Sequence, residues 1–343
     1  MEGGRPMGIP TRARALRVET AIGCSQFLLP SGRRVPGPIR RRKDVAKPMS
    51  LFSTIVSQLV NGLQSGSIYA LVALGYSMVY GIILLLNFAH GDIIMVGAYA
   101  AWMCMVNFHL HPVVSILIAI LTSTLLGVVI EKVAYTPLRS APRLSLLITA
   151  IGVSYFLQSL ALLIFGSTQH SFPKVFSVPT LALGALTIRG DMLVTLAVTT
   201  AIMVGMSLFI AKSRTGKAMR AVSEDRDAAE LMGISVNRTI TITFAIGSAL
   251  AAVAGVFYGT TYGFIGPYTG SMPGIKAFVA AVFGGIGSMP GAMLGGILLG
   301  VIENLAKRYI STELSDAIVF AVLIIVLMVK PTGLLGKRVT EKV

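Results

Sequence analysis

Charged residues are scarce in this sequence. Only 13% of its 343 residues are Asp, Glu, Lys or Arg, and 54% are hydrophobic, whereas about a quarter of the residues in soluble domains are charged. Uncharged runs such as residues 192–211 and 239–262 are long enough to cross a hydrocarbon core, which takes about 20 helical residues. A soluble all-α protein has no need of such runs, so the composition predicts an integral membrane protein.

Cysteine is nearly absent and histidine is rare. The two cysteines are Cys24, near the start, and Cys104, inside an apolar run, which excludes a disulfide framework and a cysteine metal site. The four histidines are scattered, and His109 and His111 fall on a short loop where they are predicted to be solvated. We therefore expect no metal and no other cofactor.

No set of residues resembles a catalytic centre, so the chain is predicted not to be an enzyme. A phosphate-binding loop requires the spacing G-x-x-x-x-G-K-[ST]. Gly216-Lys217 lacks both the first glycine and the Ser or Thr that would reach magnesium. If ATP drives the function of this chain, a partner must hydrolyse it.

The net charge of +15 is unevenly placed. Residues 1–48 hold 11 Lys or Arg and 3 Asp or Glu, and the other basic residues fall mostly in short loops between apolar runs. This distribution is typical of the positive-inside rule of membrane proteins. No basic stripe with interleaved aromatic residues is present, so nucleic acid is not an expected partner.

The first 48 residues, rich in Arg, Pro and Gly, differ from the rest. Their apolar patch, residues 21–30, is too short to span a bilayer and fits a secretory signal poorly. Two interpretations remain open: a disordered, basic, cytoplasmic extension, or an untranslated segment upstream of a start at Met49. Residues 49–343 are predicted to form the transmembrane domain.

The apolar runs predict an all-α, polytopic membrane protein with about eight transmembrane helices. Residues 51–86 carry no charge and would make a helix of about 54 Å at 1.5 Å per residue, so we expect a break near Asn61-Gly62 or Ser65-Gly66. The remaining predicted segments are 93–108, 113–130, 144–165, 192–211, 239–262, 275–303 and 316–329.

Two of these segments are interrupted by polar or Gly/Pro sequence, one near each end of the membrane part. Paired broken helices occur at the solute sites of transporters, and broken backbone is tolerated at membrane depth only beside protein or a wet cavity. Ordinary short loops are the alternative. The residues predicted to line the translocation path are Asn87, His90 and Gly91 in the first interruption, and Gly284, Gly285, Gly287, Pro290 and Gly291 in the second.

Charged and small residues in the membrane part predict its packing. Glycine pairs at i, i+4 spacing, such as Gly62/Gly66 and Gly296/Gly300, allow helices to approach closely. The charged residues lie near segment ends, where we expect them at the membrane interface and not in buried ion pairs, so a proton- or sodium-driven transporter is disfavoured. They are Asp92, Glu131, Asp191, Lys276, Glu303 and Asp316.

The polar loop 212–238, with six basic and four acidic residues, is predicted to be cytoplasmic. Ser223 or Asp225 can cap the start of a short helix over residues 227–233, and Gly233 suits its left-handed end. Such a short helix is marginal alone in water. It is therefore either a simple surface loop or a docking helix for a partner.

Several motifs in this order resemble one family. The run Asp227-Ala228-Ala229-x-x-x-Gly233 resembles the E-A-A-x-x-x-G coupling motif of ABC-importer permeases, with Asp in place of Glu and without the motif's distal Ile and Leu-Pro. From Met49 onward the chain resembles LivH-type permeases of branched-chain amino-acid ABC importers. The stretches that carry this resemblance are 61–71, 75–81, Asn87-Phe88-Ala89-His90-Gly91-Asp92, 216–233, 280–296 and Pro331-Thr332-Gly333.

The resemblance implies a division of labour in a bacterial inner membrane. A periplasmic binding protein selects the amino acid, two homologous permease subunits form the path through the bilayer, and two cytoplasmic ATP-binding subunits drive the cycle. Asp227, Ala228, Ala229 and Gly233 would then couple this chain to the ATPase. Two other hypotheses remain open: an ABC permease for urea or short amides, and a self-sufficient channel or secondary transporter.

Overall fold

The structure, a computed structural model, describes residues 51–83, 87–139, 141–176, 178–183 and 186–336. Their architecture is almost entirely helical. The helices are α1 (Leu51–Ile83), α2 (His90–Val106), α3 (Pro112–Ile130), α4 (Arg143–Phe165), α5 (Gly190–Lys212), α6 (Arg214–Glu224), α7 (Arg226–Leu231), α8 (Val236–Tyr262), α9 (Ser271–Gly284), α10 (Met289–Tyr309) and α11 (Ser315–Val329).

Short irregular elements complete the described chain. After α3 come a π-helical turn, Glu131–Tyr135, and a 3-10 turn, Thr136–Leu138. Two small antiparallel sheets lie at the opposite membrane face from these turns: β1 (His170–Ser171) pairs with β4 (Phe264–Ile265), and β2 (Leu181–Leu183) pairs with β3 (Leu186–Ile188). β1 and β4 tie the loop after α4 to the loop after α8.

Six helices are long and apolar enough to cross a membrane, and three shorter apolar helices accompany them. The prediction of an all-α polytopic membrane protein is therefore confirmed. Nine apolar helices occur among the described residues, one above the predicted eight, because the interruption at Gly284–Gly291 divides the predicted segment 275–303 into α9 and α10. The predicted boundary between residues 48 and 49 lies outside the described residues.

The predicted break in the first segment is wrong, because α1 runs unbroken from Leu51 to Ile83. Its glycines serve helix packing. A Cβ atom added at Gly66 would lie 2.7 Å from the carbonyl oxygen of Ile297, and one added at Gly300 would lie 2.2 Å from the amide nitrogen of Gly66. The predicted close approach is thus confirmed, and it joins α1 to α10 within one chain.

The first helix begins at the membrane face opposite to α6 and α7. Gly62 neighbours Val301 and Gly66 neighbours Ile297, so α1 runs antiparallel to α10. At its other end, the carbonyl oxygen of Ile82 accepts hydrogen bonds from Arg226, the first residue of α7. The predicted cytoplasmic extension, residues 1–48, lies outside the described residues.

Several charged residues expected at the membrane interface are buried, which makes that expectation wrong. The side chains of Glu131 and Glu303 are fully buried. Lys276 Nζ lies 2.8 Å from Glu303 Oε1 and 2.6 Å from Asp316 Oδ1. Lys307 completes the set at 2.5 Å from Glu303.

This set of two lysines and two acids links α9, α10 and α11. Burying an unpaired charge is expensive, whereas opposite charges in contact offset much of the desolvation cost. Sequence position close to a helix end did not imply exposure, because the ends of several helices meet at one place in the protein interior. The balanced charges make this cluster a structural link.

The glycine contact between α1 and α10 yields a prediction about stability. Gly300→Ala should lower the free energy of unfolding by about 2 kcal/mol, because the added methyl group meets backbone atoms that cannot move aside. Thermal unfolding in detergent measures the effect. Gly205→Ala on α5 is the matched control, since no atom lies within 4 Å of its added Cβ. Equal unfolding temperatures for the two variants would contradict the prediction.

Candidate functional site

The polar loop 212–238 folds into two short helices, α6 and α7. The hydroxyl of Ser213 accepts a hydrogen bond from the amide of Gly216 at 2.9 Å and caps α6. The carboxylate of Asp225 accepts one from the amide of Ala228 at 3.0 Å and caps α7. An N-cap oxygen satisfies an otherwise unpaired amide at the start of a helix. Of the two residues predicted as the N-cap of this helix, Asp225 therefore has that role. The Ser223 hydroxyl instead donates to the carbonyl of Arg220.

Helix α7 ends in the left-handed turn that its sequence predicts. Gly233 has φ +81°, and its amide donates to the carbonyl of Glu230. The amide of Ile234 donates to the carbonyl of Ala229 at 3.0 Å, which completes a Schellman motif. A side chain at position 233 would meet no neighbour within 4 Å, so glycine is required there for its backbone conformation alone.

The surface of α7 is divided between the chain's own interior and solvent. Ala229 is 4% exposed and packs inward, whereas Leu231 and Met232 are 89% and 82% exposed. Asp227 and Ala228 are also exposed. A partner approaching α7 would therefore touch Leu231 and Met232, two residues that the motif comparison did not single out.

Arg226 attaches α7 to the end of α1. Its Nε and Nη2 atoms donate to the carbonyl oxygen of Ile82 at 3.2 and 2.6 Å. Burial lowers the pKa of Arg226, and nearby Arg139 lowers it further, while Asp227 opposes the shift. The group stays protonated, because arginine titrates far above neutral pH. Sequence analysis missed this contact because the two residues are 144 positions apart.

A cavity of about 490 Å³ lies between α6, α7 and the membrane helices. Its wall combines apolar side chains with the guanidinium groups of Arg139 and Arg226 and the acidic start of α7. The lining residues are Ile82, Ile83, Tyr135, Arg139, Ala141, Leu146, Val222, Ser223, Glu224, Asp225, Arg226, Asp227 and Ile240.

The π-helical turn beside the cavity is held by a buried carboxylate. Glu131 forms an ion pair with Arg139 and accepts hydrogen bonds from the hydroxyls of Thr136 and Thr241, each at 2.9 Å. Arg139 also donates to Asn237. These contacts fix the turn to α8, the helix that follows α7. The part of the cavity wall formed by Tyr135 and Arg139 is therefore attached to α8.

The first predicted interruption, Asn87 to Asp92, packs against the start of α9. Asn87 Oδ1 accepts a hydrogen bond from the hydroxyl of Tyr135 at 2.8 Å. His90 is 2% exposed and packs edge-on against Tyr76 with ring centroids 4.6 Å apart. A Cβ atom added at Gly91 would lie 2.8 Å from the carbonyl oxygen of Gly270. All three predicted residues are therefore in the packed interior.

The second interruption is a tight turn between α9 and α10. Gly285 and Gly287 have φ angles of +112° and +82°, and Pro290 lies in the first turn of α10. Gly284 and Gly291 touch across the turn, because a Cβ added at Gly284 would lie 1.8 Å from the oxygen of Gly291. The five residues predicted for the second interruption therefore lie close together in this one turn.

The chain's own C-terminal segment covers this turn. The amides of Leu334 and Leu335 donate to the carbonyls of Phe283 and Gly284 at 2.9 and 2.8 Å. These bonds satisfy carbonyls at the end of α9 that the helix leaves free. The residues that line the cavity beside α6 and α7 include none from either interruption. The two interruptions also contact different parts of the chain.

Among the described residues, no group of three His, Cys, Asp or Glu side chains is placed to hold a metal ion. The features of functional interest in the described part of the chain are the capped surface helix α7, the amphipathic cavity behind it, and the two closely packed interruptions.

The contact at the α9–α10 turn yields a prediction. Gly285→Ala should release the C-terminal segment, because the added methyl would lie 2.4 Å from the Gly336 amide nitrogen at a φ that disfavours side chains. Hydrogen exchange at the amides of Leu334 and Leu335 should then quicken by about tenfold, which corresponds to 1.4 kcal/mol. Gly152→Ala, which has no atom within 4 Å of its added Cβ, is the control. Unchanged exchange in Gly285→Ala would contradict the assignment.

Comparison with known proteins places this architecture among transport proteins. The family model described as "Branched-chain amino acid transport system / permease component" matches residues 58–327. The high-affinity branched-chain amino acid transport system permease protein BraD of Pseudomonas aeruginosa is 44% identical over 300 residues, which cover 84% of this chain and 98% of that protein.

Two further relatives extend the comparison. The permease protein LivH of Escherichia coli strain K12, from a high-affinity branched-chain amino acid transport system, is 45% identical over 304 residues, which cover 85% of this chain and 99% of that protein. A probable branched-chain amino acid transport permease protein LivH of Methanocaldococcus jannaschii is 28% identical over 218 residues, covering 61% and 65%.

Proposed function

Because this chain belongs to the family of permease components of branched-chain amino acid transport systems, we propose that it forms part of the membrane path of an importer for leucine, isoleucine and valine or related amino acids. It is a multi-pass membrane protein and a transport permease component, which supports the prediction that it is not an enzyme. The curated relatives all carry branched-chain amino acids in their names, which favours these substrates over urea or short amides.

The finer assembly is part of the proposal. The chain would sit in a bacterial inner membrane with a second homologous permease subunit, receive the amino acid from a periplasmic binding protein and be driven by two cytoplasmic ATP-binding subunits. The many exposed apolar side chains on α3 and α11, such as Leu121 and Met328, suit contact with lipid and with another membrane subunit. Residues 49–343 would supply this permease domain.

The observation that carries the coupling role is the capped helix α7 with two exposed apolar side chains. Leu231 and Met232 are exposed beside the exposed acidic residues Asp227 and Glu230, and apolar surface rimmed by polar residues marks protein contact sites. The basic residues around α6 and α7 fit the cytoplasmic side by the positive-inside rule. A self-sufficient channel would have no use for such a helix.

Arg226 would carry motion from α7 into the membrane. Its guanidinium group donates two hydrogen bonds to the carbonyl oxygen of Ile82 in the last turn of α1. Helix α1 in turn packs along α10 through glycine contacts. Displacement of α7 by an ATPase would therefore act first on α1 and then on α10. Asp227, Ala228, Ala229 and Gly233 would shape and seat the helix, with Ala229 facing inward.

The interruptions would serve the path indirectly. Gly91 joins α2 to the start of α9, Asn87 bonds to Tyr135 in the turn after α3, and His90 packs against Tyr76 of α1. The second interruption, Gly284, Gly285, Gly287, Pro290 and Gly291, joins α9 to α10. Their close contacts allow two helices to begin or end within the protein without unsatisfied backbone groups, which lipid would not tolerate. We therefore propose that they shape the path by setting the position of α9.

The coupling proposal predicts the effect of charge at the exposed pair. Leu231→Glu and Met232→Glu should each lower uptake and copurification of the ATP-binding subunits by about tenfold, since a buried apolar contact residue is worth more than 1 kcal/mol. The fold should be unaffected because both side chains are exposed. Leu314→Glu, which changes an exposed leucine in the turn before α11, is the control. Normal coupling in both α7 variants would place the ATPase contact elsewhere.

The substrate proposal is tested by reconstituting the complete transporter in proteoliposomes. ATP-dependent uptake of labelled leucine, dependent on the binding protein, is the expected result, with urea and acetamide not accumulated. This chain without its partners should show no ATPase activity, because its only Gly-Lys pair near the proposed coupling helix lacks a phosphate-binding loop. Accumulation of urea in preference to leucine would support the alternative permease class.

A further inference from the structure

Asp92 is a buried carboxylate without a cationic partner. It lies in the first turn of α2 and is 2% exposed. The other fully buried carboxylates have such partners: Arg139 for Glu131, and Lys276 and Lys307 for Glu303. Among the described residues, no Lys, Arg or His lies within ion-pair distance of Asp92.

The groups around this carboxylate are neutral and polar. Gln158 Nε2 on α4 donates to Asp92 Oδ1 at 2.9 Å, and the same nitrogen lies 3.2 Å from Ser154 Oγ and 3.3 Å from Ser271 Oγ. Three helices, α2, α4 and α9, thus contribute to one polar cluster. Its amide and hydroxyl groups can solvate a charged ligand but cannot neutralise Asp92.

The cluster can be approached along α4. Gln158 and Ser154 are both partly exposed, and the neighbouring Tyr155 is 67% exposed. Helix α4 has little of its surface covered by the rest of the described chain. An amphipathic solute moving along this helix would meet the polar pair Ser154 and Gln158, with Tyr155 on the adjoining face of the helix.

A buried carboxylate without a counter-ion in a membrane protein requires a physical reason, because such groups are costly and mark solute pathways. An amino acid in transit carries an α-ammonium group and an apolar side chain. Its ammonium group is the cation that this site lacks, and the exposed ring of Tyr155 on the adjoining face of α4 suits its side chain.

We propose that Asp92, together with Gln158 and Ser154, receives the α-ammonium group of the amino acid as it passes through the permease. This inference rests on the proposed function and deepens it. Gln158 would move from Asp92 to the incoming solute, so that the carboxylate is released for the ammonium group. Urea and short amides carry no ammonium group, so the site would favour amino acids independently of the binding protein.

The first test measures uptake by the complete transporter at saturating leucine-loaded binding protein. Asp92→Asn should lower the maximal uptake rate by about tenfold, the effect of losing 1.4 kcal/mol of charge attraction, while the loaded binding protein still stimulates ATPase activity. Asp92→Glu should retain most of the uptake. The matched control is Asp191→Asn, which makes the same change in the first turn of α5, where Asp191 pairs with Arg189.

The second test does not depend on uptake and separates a solute site from a structural carboxylate. Cys24 and Cys104 are first replaced by serine and alanine, and Gln158→Cys is introduced into the complete transporter. A cationic methanethiosulfonate should label this cysteine about tenfold faster than an anionic one, because the carboxylate concentrates cations nearby. Adding Asp92→Asn should abolish the preference, and turnover with leucine should slow the labelling.

The outcomes separate the two proposals. Undiminished uptake in Asp92→Asn overturns the ammonium site, even if the wild type imports leucine and the proposed function stands. Loss of both uptake and ATPase stimulation leaves the decision to the labelling: equal rates for the two reagents, or no protection by leucine, overturn the site. A wild-type transporter that fails to import leucine refutes the proposed function itself.

Discussion

The close contact between α1 and α10 is the constraint on which the rest of the structure depends. Lipid offers little hydrophobic driving force between helices, so association in a bilayer requires backbones to approach closely. Gly62 and Gly66 on α1 meet Gly296 and Gly300 on α10 at distances that no side chain could occupy. The pair forms a rigid centre, against which α8 and α9 pack and from which α7 is held through Arg226.

Among the residues that the structure describes, the fully buried carboxylates are paired with a cation, with one exception. Glu131 and Glu303 are buried because arginine or lysine pairs with each, and those pairs fix turns and helix ends. Asp92 has only neutral neighbours. This difference distinguishes the structural ion pairs from the proposed ammonium site, and it is visible only when the buried carboxylates of the described residues are compared.

The proposed coupling helix and the proposed ammonium site lie in different parts of the molecule. Helix α7 and the cavity behind it are at one membrane face, beside the end of α1. The Asp92 cluster lies where α2 and α9 begin and α4 passes. Helix α2 contacts α8, and α8 follows directly from α7, so movement at the membrane face has a short covalent and packed route to the cluster.

The sequence by itself determined the membrane class, most of the helices, the capped helix α7 and the family, because apolar length, glycine spacing and capping residues act locally along the chain. It did not determine that α1 is continuous, since glycine in an apolar run permits either a break or a close contact. Nor did it determine which charges are buried, or that Ala229 faces inward while Leu231 faces outward. Only the tertiary structure decided these, because burial and ion pairing depend on residues far apart in sequence, as Lys276 with Glu303 and Asp92 with Gln158 illustrate.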